Sequence, residues 1–203
     1  MVASAILLAA GQSTRMGSLK GLLPWGEKTL FEHQLLTLVQ SPITEIVVVV
    51  GYQAEQFIKI AQHYPVRIIH NKNYHLGKCS SIITGLQAVQ SRPEMILISA
   101  IDQPAEAGVI QQLILSLLDY PIAIPIMNGK RGHPILFSEK LFTELLTITE
   151  ETKGLRNIIQ KYQNQLVEVP VHSPLIQLNL NTPHDYLGAK DRFHPLSDLR
   201  RFQ

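Results

Sequence analysis

With a single cysteine, Cys79, in 203 residues, the chain can form no internal disulfide and no zinc site of CxxC spacing. Cys79 itself reads as a small buried or half-buried side chain. Charge is nearly balanced, 18 Lys and Arg against 16 Asp and Glu for a formal +2. That is too small for a nucleic-acid-binding field spread over the surface, so any charge-driven recognition has to be local. No apolar run approaches the roughly 18 residues that span a bilayer, and the start, MVASAILLAAGQ, lacks a basic n-region. The expected location is cytoplasmic. Internal repeats and low-complexity tracts are also missing.

What is present is apolar material in regular blocks. Hydrophobic residues make up 45% of the chain, enough for one substantial core, and no composition shift marks a second domain, so residues 1–187 read as one unit. Ile6, Leu7 and Leu8 look like the end of a buried strand. Leu30, Phe31, Leu35, Leu38 and Val39 recur at helical spacing until Ser41-Pro42 ends the pattern. The run EIVVVV over 45–50 is β-branched almost throughout, as in a strand covered on both faces. A helix over 54–60, a strand over 66–69, a helix from Cys79 or Ser80 through Val89 and a strand over 95–99 follow. Val109, Ile110, Leu113, Ile114, Leu117 and Leu118 then mark an amphipathic helix. This alternation predicts a three-layer, doubly wound α/β domain around a mostly parallel sheet, Rossmann-like, which binds ligands beyond the carboxyl ends of its strands. The later part is less regular, with strands expected over 122–126, 135–137, 166–169 and 176–180 and helices over 140–146 and 155–162. From Gly188 the charges show no periodic face, so 188–203 read as a frayed C-terminal tail.

Chemistry gathers where strands end. The stretch 6–24, ILLAAGQSTRMGSLKGLLP, passes from a strand into a small, polar, cationic loop. Gly11 and Gly17 can take positive φ and allow close approach, so successive backbone N–H groups can line one anion-binding concavity. Arg15 and Lys20 add fixed positive charge beside it. The loop is neither GxxxxGK[ST] nor GxGxxG. Asp102, in IDQP, comes directly off a strand with Pro104 fixing the turn. A carboxylate there can coordinate Mg²⁺ or serve as a turn or N-cap residue. Ser80 and Ser81 offer hydroxyls and N–H groups at a helix start.

The segment LAAGQSTRMGSLKGLLP resembles the signature LAAGxSxRMGxxKxLLP of the MobA/MocA-like NTP transferases, which act on molybdenum cofactor and have a nucleotide-diphospho-sugar transferase-like fold. The resemblance extends from about Ser4 to Tyr186. It implies that Leu8, Ala9, Ala10, Gly11 and Ser13 wrap the triphosphate of an NTP while Arg15 and Lys20 hold its phosphates. Asp102, in an unaltered DQP, takes the family's metal position with Mg²⁺ as cofactor, and joins Arg15 and Lys20 as the implied catalytic set. The segment GKCSSIITG over 77–85 is similar to the family's GMxxSI..G, which lies against base and ribose, and adds Ser80, Ser81 and Gly85 to the nucleotide-binding residues. The segment KRGHPILF over 130–137 is similar to GxxGHPxLF, which borders the acceptor. Arg131 and His133 are thereby candidates to meet the acceptor's phosphate.

Two departures qualify what the resemblance implies. Where the family reads DIDTPEDL, this chain reads NLNTPHDY over 179–186. Asn179 and Asn181 are the candidate second metal ligands, since an amide carbonyl can bind Mg²⁺ without adding negative charge. The alternation Leu178, Asn179, Leu180 favours Asn179. In TKGLR over 152–156 the family's GDxGAR has lost its aspartate. The implied activity is transfer of a nucleoside monophosphate from an NTP to a phosphorylated acceptor with release of pyrophosphate. CTP is favoured over GTP because LAAG, with Ala10, is the cytidylyl form, although Lys20-Gly21-Leu22 is similar to the guanylyl DKGL. Molybdopterin is the implied acceptor, and a molybdoenzyme or its chaperone the implied protein partner. The Asn pair leaves open a nucleotide-binding regulatory or accessory protein with impaired turnover, and the acceptor could be another phosphorylated small molecule.

Overall fold

The computed structural model describes residues 2–194. Along the chain, strand β1 (Ala3–Ala9) is followed by a small hairpin, β2 (Pro24–Trp25) and β3 (Lys28–Thr29). Then come α1 (Leu30–Val39), β4 (Glu45–Val50), α2 (Ala54–Ala61), β5 (Arg67–His70), α3 (Lys78–Ala88), β6 (Met95–Ala100) and α4 (Ala107–Leu117). The last third holds β7 (Ile122–Met127), β8 (Lys130–Arg131), β9 (Ile135–Ser138), α5 (Phe142–Leu145), α6 (Leu155–Lys161), β10 (Val167–Pro170) and α7 (Pro183–Phe193). No helix among the described residues is long and apolar enough to cross a membrane.

The main sheet runs β10-β7-β9-β6-β1-β4-β5, with β8 on β7. Only β9 and β8 run against the rest: β6 and β7 each pair with β9 antiparallel, while β1 pairs with β4 and with β6 in parallel. After β1 the chain moves to one side, through β4 to β5, and then returns to place β6 on the other side of β1. The crevice beyond the carboxyl ends of β1 and β6 is therefore a topological switch point, where a doubly wound sheet takes its ligands.

β1 is buried at all seven positions. Successive side chains of a strand point to opposite faces, so Ala3, Ala5, Leu7 and Ala9 belong to the apolar cluster that includes residues of α1, α2 and α4, while Ile6 and Leu8 belong to the one that includes residues of α3, α5 and α6. This is the three-layer arrangement the alternation predicts. The β-branched run of β4 packs the same way, Val48 and Val50 on one side and Val47 and Val49 on the other. Helix α1 starts at a capping box, in which the Thr29 hydroxyl accepts from Glu32 N–H (3.2 Å) and the Glu32 carboxylate accepts from Thr29 N–H (3.0 Å).

A third, smaller cluster joins Met16, Trp25, Leu30, Leu175, Leu180, Tyr186 and Ala189. It fastens α7 to the β2–β3 hairpin. The Tyr186 hydroxyl donates to Pro24 C=O (2.5 Å), and the ring of His194 stands edge-on to Trp25 with centroids 4.9 Å apart.

Several expected elements differ. The strand expected over 176–180 is a 3-10 turn, Pro174–Gln177, followed by irregular chain. Its backbone groups are spent elsewhere: Ile176 C=O accepts from His133 N–H (2.8 Å), and Leu180 N–H donates to Asp102 C=O (2.9 Å). The helix expected over 140–146 is a 3-10 turn, Glu139–Leu141, leading into the single turn of α5. Leu118 ends α4 at positive φ and is 73% exposed, so it is no part of that helix's buried stripe. α7 continues to Phe193, through the point at which a frayed tail was expected to begin. Residues 195–203 of that tail lie outside the described residues.

Candidate active site

The loop after β1 is shaped by two residues at positive φ, Ser13 (54°) and Gly17 (72°), around the 3-10 turn Thr14–Met16. Gly17 takes the conformation expected of it. Gly11 does not, and Ser13 bends the chain in its place. A second 3-10 turn, Lys20–Leu22, lies against α2 because Gly21 has no side chain: a Cβ there would come within 2.6 Å of the Phe57 ring. The backbone N–H of Lys20 donates to the Ser13 hydroxyl (3.3 Å), which closes the loop on itself.

Lys20 is at the centre of the site. Its ammonium donates to Asp102 Oδ2 (3.2 Å) and to Asn181 Oδ1 (3.0 Å). The two charged side chains are largely buried, at 13% and 22% exposure. Asp102 stands on a turn held from below by Gln34 of α1, 1% exposed. The Gln34 amide donates to Ala100 C=O (3.0 Å) and Gln103 C=O (2.8 Å) and accepts from Ala105 N–H (3.3 Å). The returning C-terminal segment is pinned to the same turn, with the Gln103 amide donating to Asn179 Oδ1 (2.7 Å).

Two cavities flank this centre. One of about 310 Å³ is lined by Leu8, Ala10, Gly11, Ser13, Lys20, Ser81 and Asp102 among others. One of about 690 Å³ is lined by His133, Asn179, Asn181, Gln103, Lys153 and Arg156 among others. Lys78 and Ala100 line both. Most of the residues expected at the site are therefore brought to one crevice.

Five are not placed on either cavity wall. Ala9 packs beneath the sheet with Leu7 and Phe31. Arg15 is exposed and has no ion-pair partner among the described residues. The Ser80 hydroxyl donates to Asn73 C=O (3.0 Å) and Gly77 C=O (2.9 Å), the work of a helix-start residue. Gly85 is a packing residue: a Cβ would meet Ile6 at 2.5 Å and Val49 at 3.0 Å, so its absence lets α3 lie close on the sheet. Arg131, on β8, is paired with the exposed Glu168 of β10 (2.6 Å), away from both cavities.

His133 does face the larger cavity, but as a neutral ring. Burial, and then the positive charge of Lys78, push its imidazole down to about 4 against the opposing pull of Asp102. At neutral pH it offers hydrogen bonds and no charge. Cys79 is likewise uncharged: burial first, then the Glu150 carboxylate that accepts its backbone N–H (2.7 Å), push the thiol up to about 11. A thiol held there is no nucleophile at neutral pH.

Asp102 Oδ2 and Asn181 Oδ1 converge on one cation, the Lys20 ammonium, and present one anionic and one neutral oxygen. That is a donor set for a hard divalent cation whose remaining positions are filled by water and phosphate oxygens. No group of three or more His, Cys, Asp or Glu side chains able to hold a metal occurs among the described residues. Asn179, which the alternation favoured, instead accepts from the Gln103 amide through its Oδ1.

Sequence reasoning missed Gln34, Asn71, Lys78 and Gln103. Gln34 had a signal, an amide on the apolar stripe of α1. Asn71 is buried and donates to both Ser80 and Ser81 hydroxyls (3.0 Å each), a contact across a loop that no spacing rule reveals.

A family model for the MobA-like NTP transferase domain matches residues 5–167. The chain belongs to this family. The molybdenum cofactor cytidylyltransferase of Escherichia coli K12 is 30% identical to this MobA-like chain over 189 residues, covering 93% of the chain and 95% of that protein. A probable molybdenum cofactor guanylyltransferase of Bacillus mycoides is 25% identical, covering 91% and 94%. A crystal structure of Rv0371c from Mycobacterium tuberculosis, in complex with manganese, shares the fold at a TM-score of 0.75 with 23% identity, covering 93% of this chain and 97% of that one. The MobA-like domain thus has the nucleotide-diphospho-sugar transferase fold, and its family is one of nucleotidyltransferases.

Proposed function

We propose that the chain transfers a nucleoside monophosphate from an NTP, CTP in preference to GTP, to the phosphate of molybdopterin with release of pyrophosphate. The observation that carries this reading is the pair of cavities that meet at Lys20, Asp102 and Asn181. One has the size and cationic loop for a nucleotide; the other is large enough for a second substrate. Ala10 and the E. coli relative favour CTP.

Among the described residues the site holds no activated nucleophile, in keeping with direct attack by the acceptor phosphate on the α-phosphorus, a reaction that depends on positioning and charge neutralisation. Lys20 would leave Asp102 and Asn181 to bind the β- and γ-phosphates, where its charge offsets that of the departing pyrophosphate. Ser81 and the loop residues around Ser13 would orient the nucleotide, and neutral His133 and Gln103 would hydrogen-bond the acceptor. Mg²⁺, held by Asp102 and Asn181, would supply the charge that draws the phosphates together. The product would pass to a molybdoenzyme or its chaperone.

The test is pyrophosphate release with CTP and with GTP, each with and without molybdopterin and Mg²⁺. Release only in the full CTP mixture is expected. The single carboxylate at the centre favours one other reading, a nucleotide-binding protein without turnover. Tight, Mg²⁺-dependent CTP binding by calorimetry with no pyrophosphate from any phosphorylated acceptor would establish that reading instead.

A further inference from the structure

The wall between the two cavities carries a cation that neither the loop after β1 nor the Asp102 turn supplies. Lys78 is the one ionisable residue that lines both spaces; the other shared residue is Ala100. Its ammonium has no ion-pair or hydrogen-bond partner among the described residues. Its charge reaches across the larger cavity, where it opposes protonation of His133. Its place in the helix is unfavourable. Lys78 opens α3, whose first turn has no acidic residue, so it sits at the positive end of the helix dipole. It also stands where the resembling segment GMxxSI has methionine. Lys78 is exposed and hydrated in the free chain, and its place on the wall shared by two ligand cavities suits an anion that arrives with the ligands.

Resting on the nucleotidyl-transfer reading above, we infer that Lys78 is a catalytic residue that holds the acceptor phosphate on one side and the α-phosphate of the nucleotide on the other. Both groups are anionic, and their mutual repulsion is greatest as an acceptor oxygen approaches phosphorus. A bond forms from that oxygen to the α-phosphorus, the bond from the α-phosphorus to the α,β-bridging oxygen breaks, and its electron pair leaves with pyrophosphate. Lys78 neither forms a covalent bond nor carries the transferred group. Glu150, the carboxylate on the larger cavity, is bonded to Cys79 N–H and leaves the Lys78 ammonium free.

The experiment uses the whole chain as wild type, Lys78→Met and Lys78→Arg. Wild type is first titrated with CTP and with GTP in Mg²⁺; binding of neither overturns the nucleotide reading itself. Given binding, CMP is the probe for the α-phosphate, and inorganic phosphate added to the CMP-saturated protein is the probe for the acceptor side. Lys78→Met is expected to weaken CMP about tenfold, the loss of one charge-assisted hydrogen bond, and to weaken inorganic phosphate similarly. Cytidine affinity should stay unchanged, Lys78→Arg should retain most of both affinities, and the ligand-free Lys78→Met protein should melt no lower than wild type. Equal CMP and phosphate affinities in wild type and Lys78→Met, with CTP binding intact, overturn the role of Lys78 and leave the nucleotide reading standing.

Discussion

Asn179 and Asn181 are two residues apart and chemically identical, yet their side chains are committed differently. Asn181 Oδ1 shares the Lys20 ammonium with Asp102, whereas Asn179 Oδ1 accepts from Gln103. Asn181→Asp should therefore tighten Mg²⁺ binding in the presence of CTP, and Asn179→Asp should not. Calorimetric titration of Mg²⁺ into the CTP complex of each variant checks this, and no change at Asn181 would remove it as a metal ligand. His133 gives a second test at the same scale. Its imidazole titrates at about 4 in the folded chain and near 6.5 when unfolded. As pH falls, the unfolded chain takes up the proton first, so the stability linked to neutral His133 is complete above pH 6.5 and is lost progressively toward pH 4. The loss amounts to about 3 kcal/mol. Chemical denaturation between pH 7.5 and 4.5 should show wild type losing more stability than His133→Gln.

At the scale of elements, α1 acts as the bed of the Asp102 turn. Its buried stripe contains one amide, Gln34, which satisfies three backbone groups between Ala100 and Ala105. Gln34→Met keeps the volume and strands those groups, so the denaturation midpoint should fall by the equivalent of about 2–4 kcal/mol with an unchanged slope. A variant as stable as wild type would mean that water replaces the amide. The regular elements were legible because burial imposes a period: β-branched residues in β4, and a stripe at helical spacing in α1 and α4. The segment 176–180 misled for the same reason. Its alternating Leu and Asn residues mimic a strand, but the alternation arises as irregular chain presses Leu180 into the third cluster and turns Asn179 and Asn181 toward the Asp102 turn. Motif likeness pointed to Asp102, Lys20 and Ser13, which line the crevice, and to Gly85, which lies off its walls where a Cβ would meet Ile6 and Val49.

For the molecule as a whole, α7 is the fastening that keeps Asn181 at the centre. Thr182 caps it with a second capping box, its hydroxyl accepting from Asp185 N–H (3.2 Å), and the Trp25 cluster anchors its far end. Cutting the chain after Leu187 would strip Ala189, Phe193 and His194 from Trp25. Because Trp25 is the only tryptophan, its fluorescence reports the change directly. Emission should shift to the red and the melting temperature should fall by several degrees, about 2–4 °C per kcal/mol for a chain of this size. An unchanged spectrum would show that α7 contributes no anchorage.

Lys20, Asp102 and Asn181 come from three widely separated parts of the chain, and they meet only when the segment after β10 folds back over β6. On the ribosome, the loop after β1 and the Asp102 turn emerge well before Asn181 does. A nascent chain halted between β10 and α7 would lack Asn181 altogether, so the centre is complete only once the segment after β10 has been made.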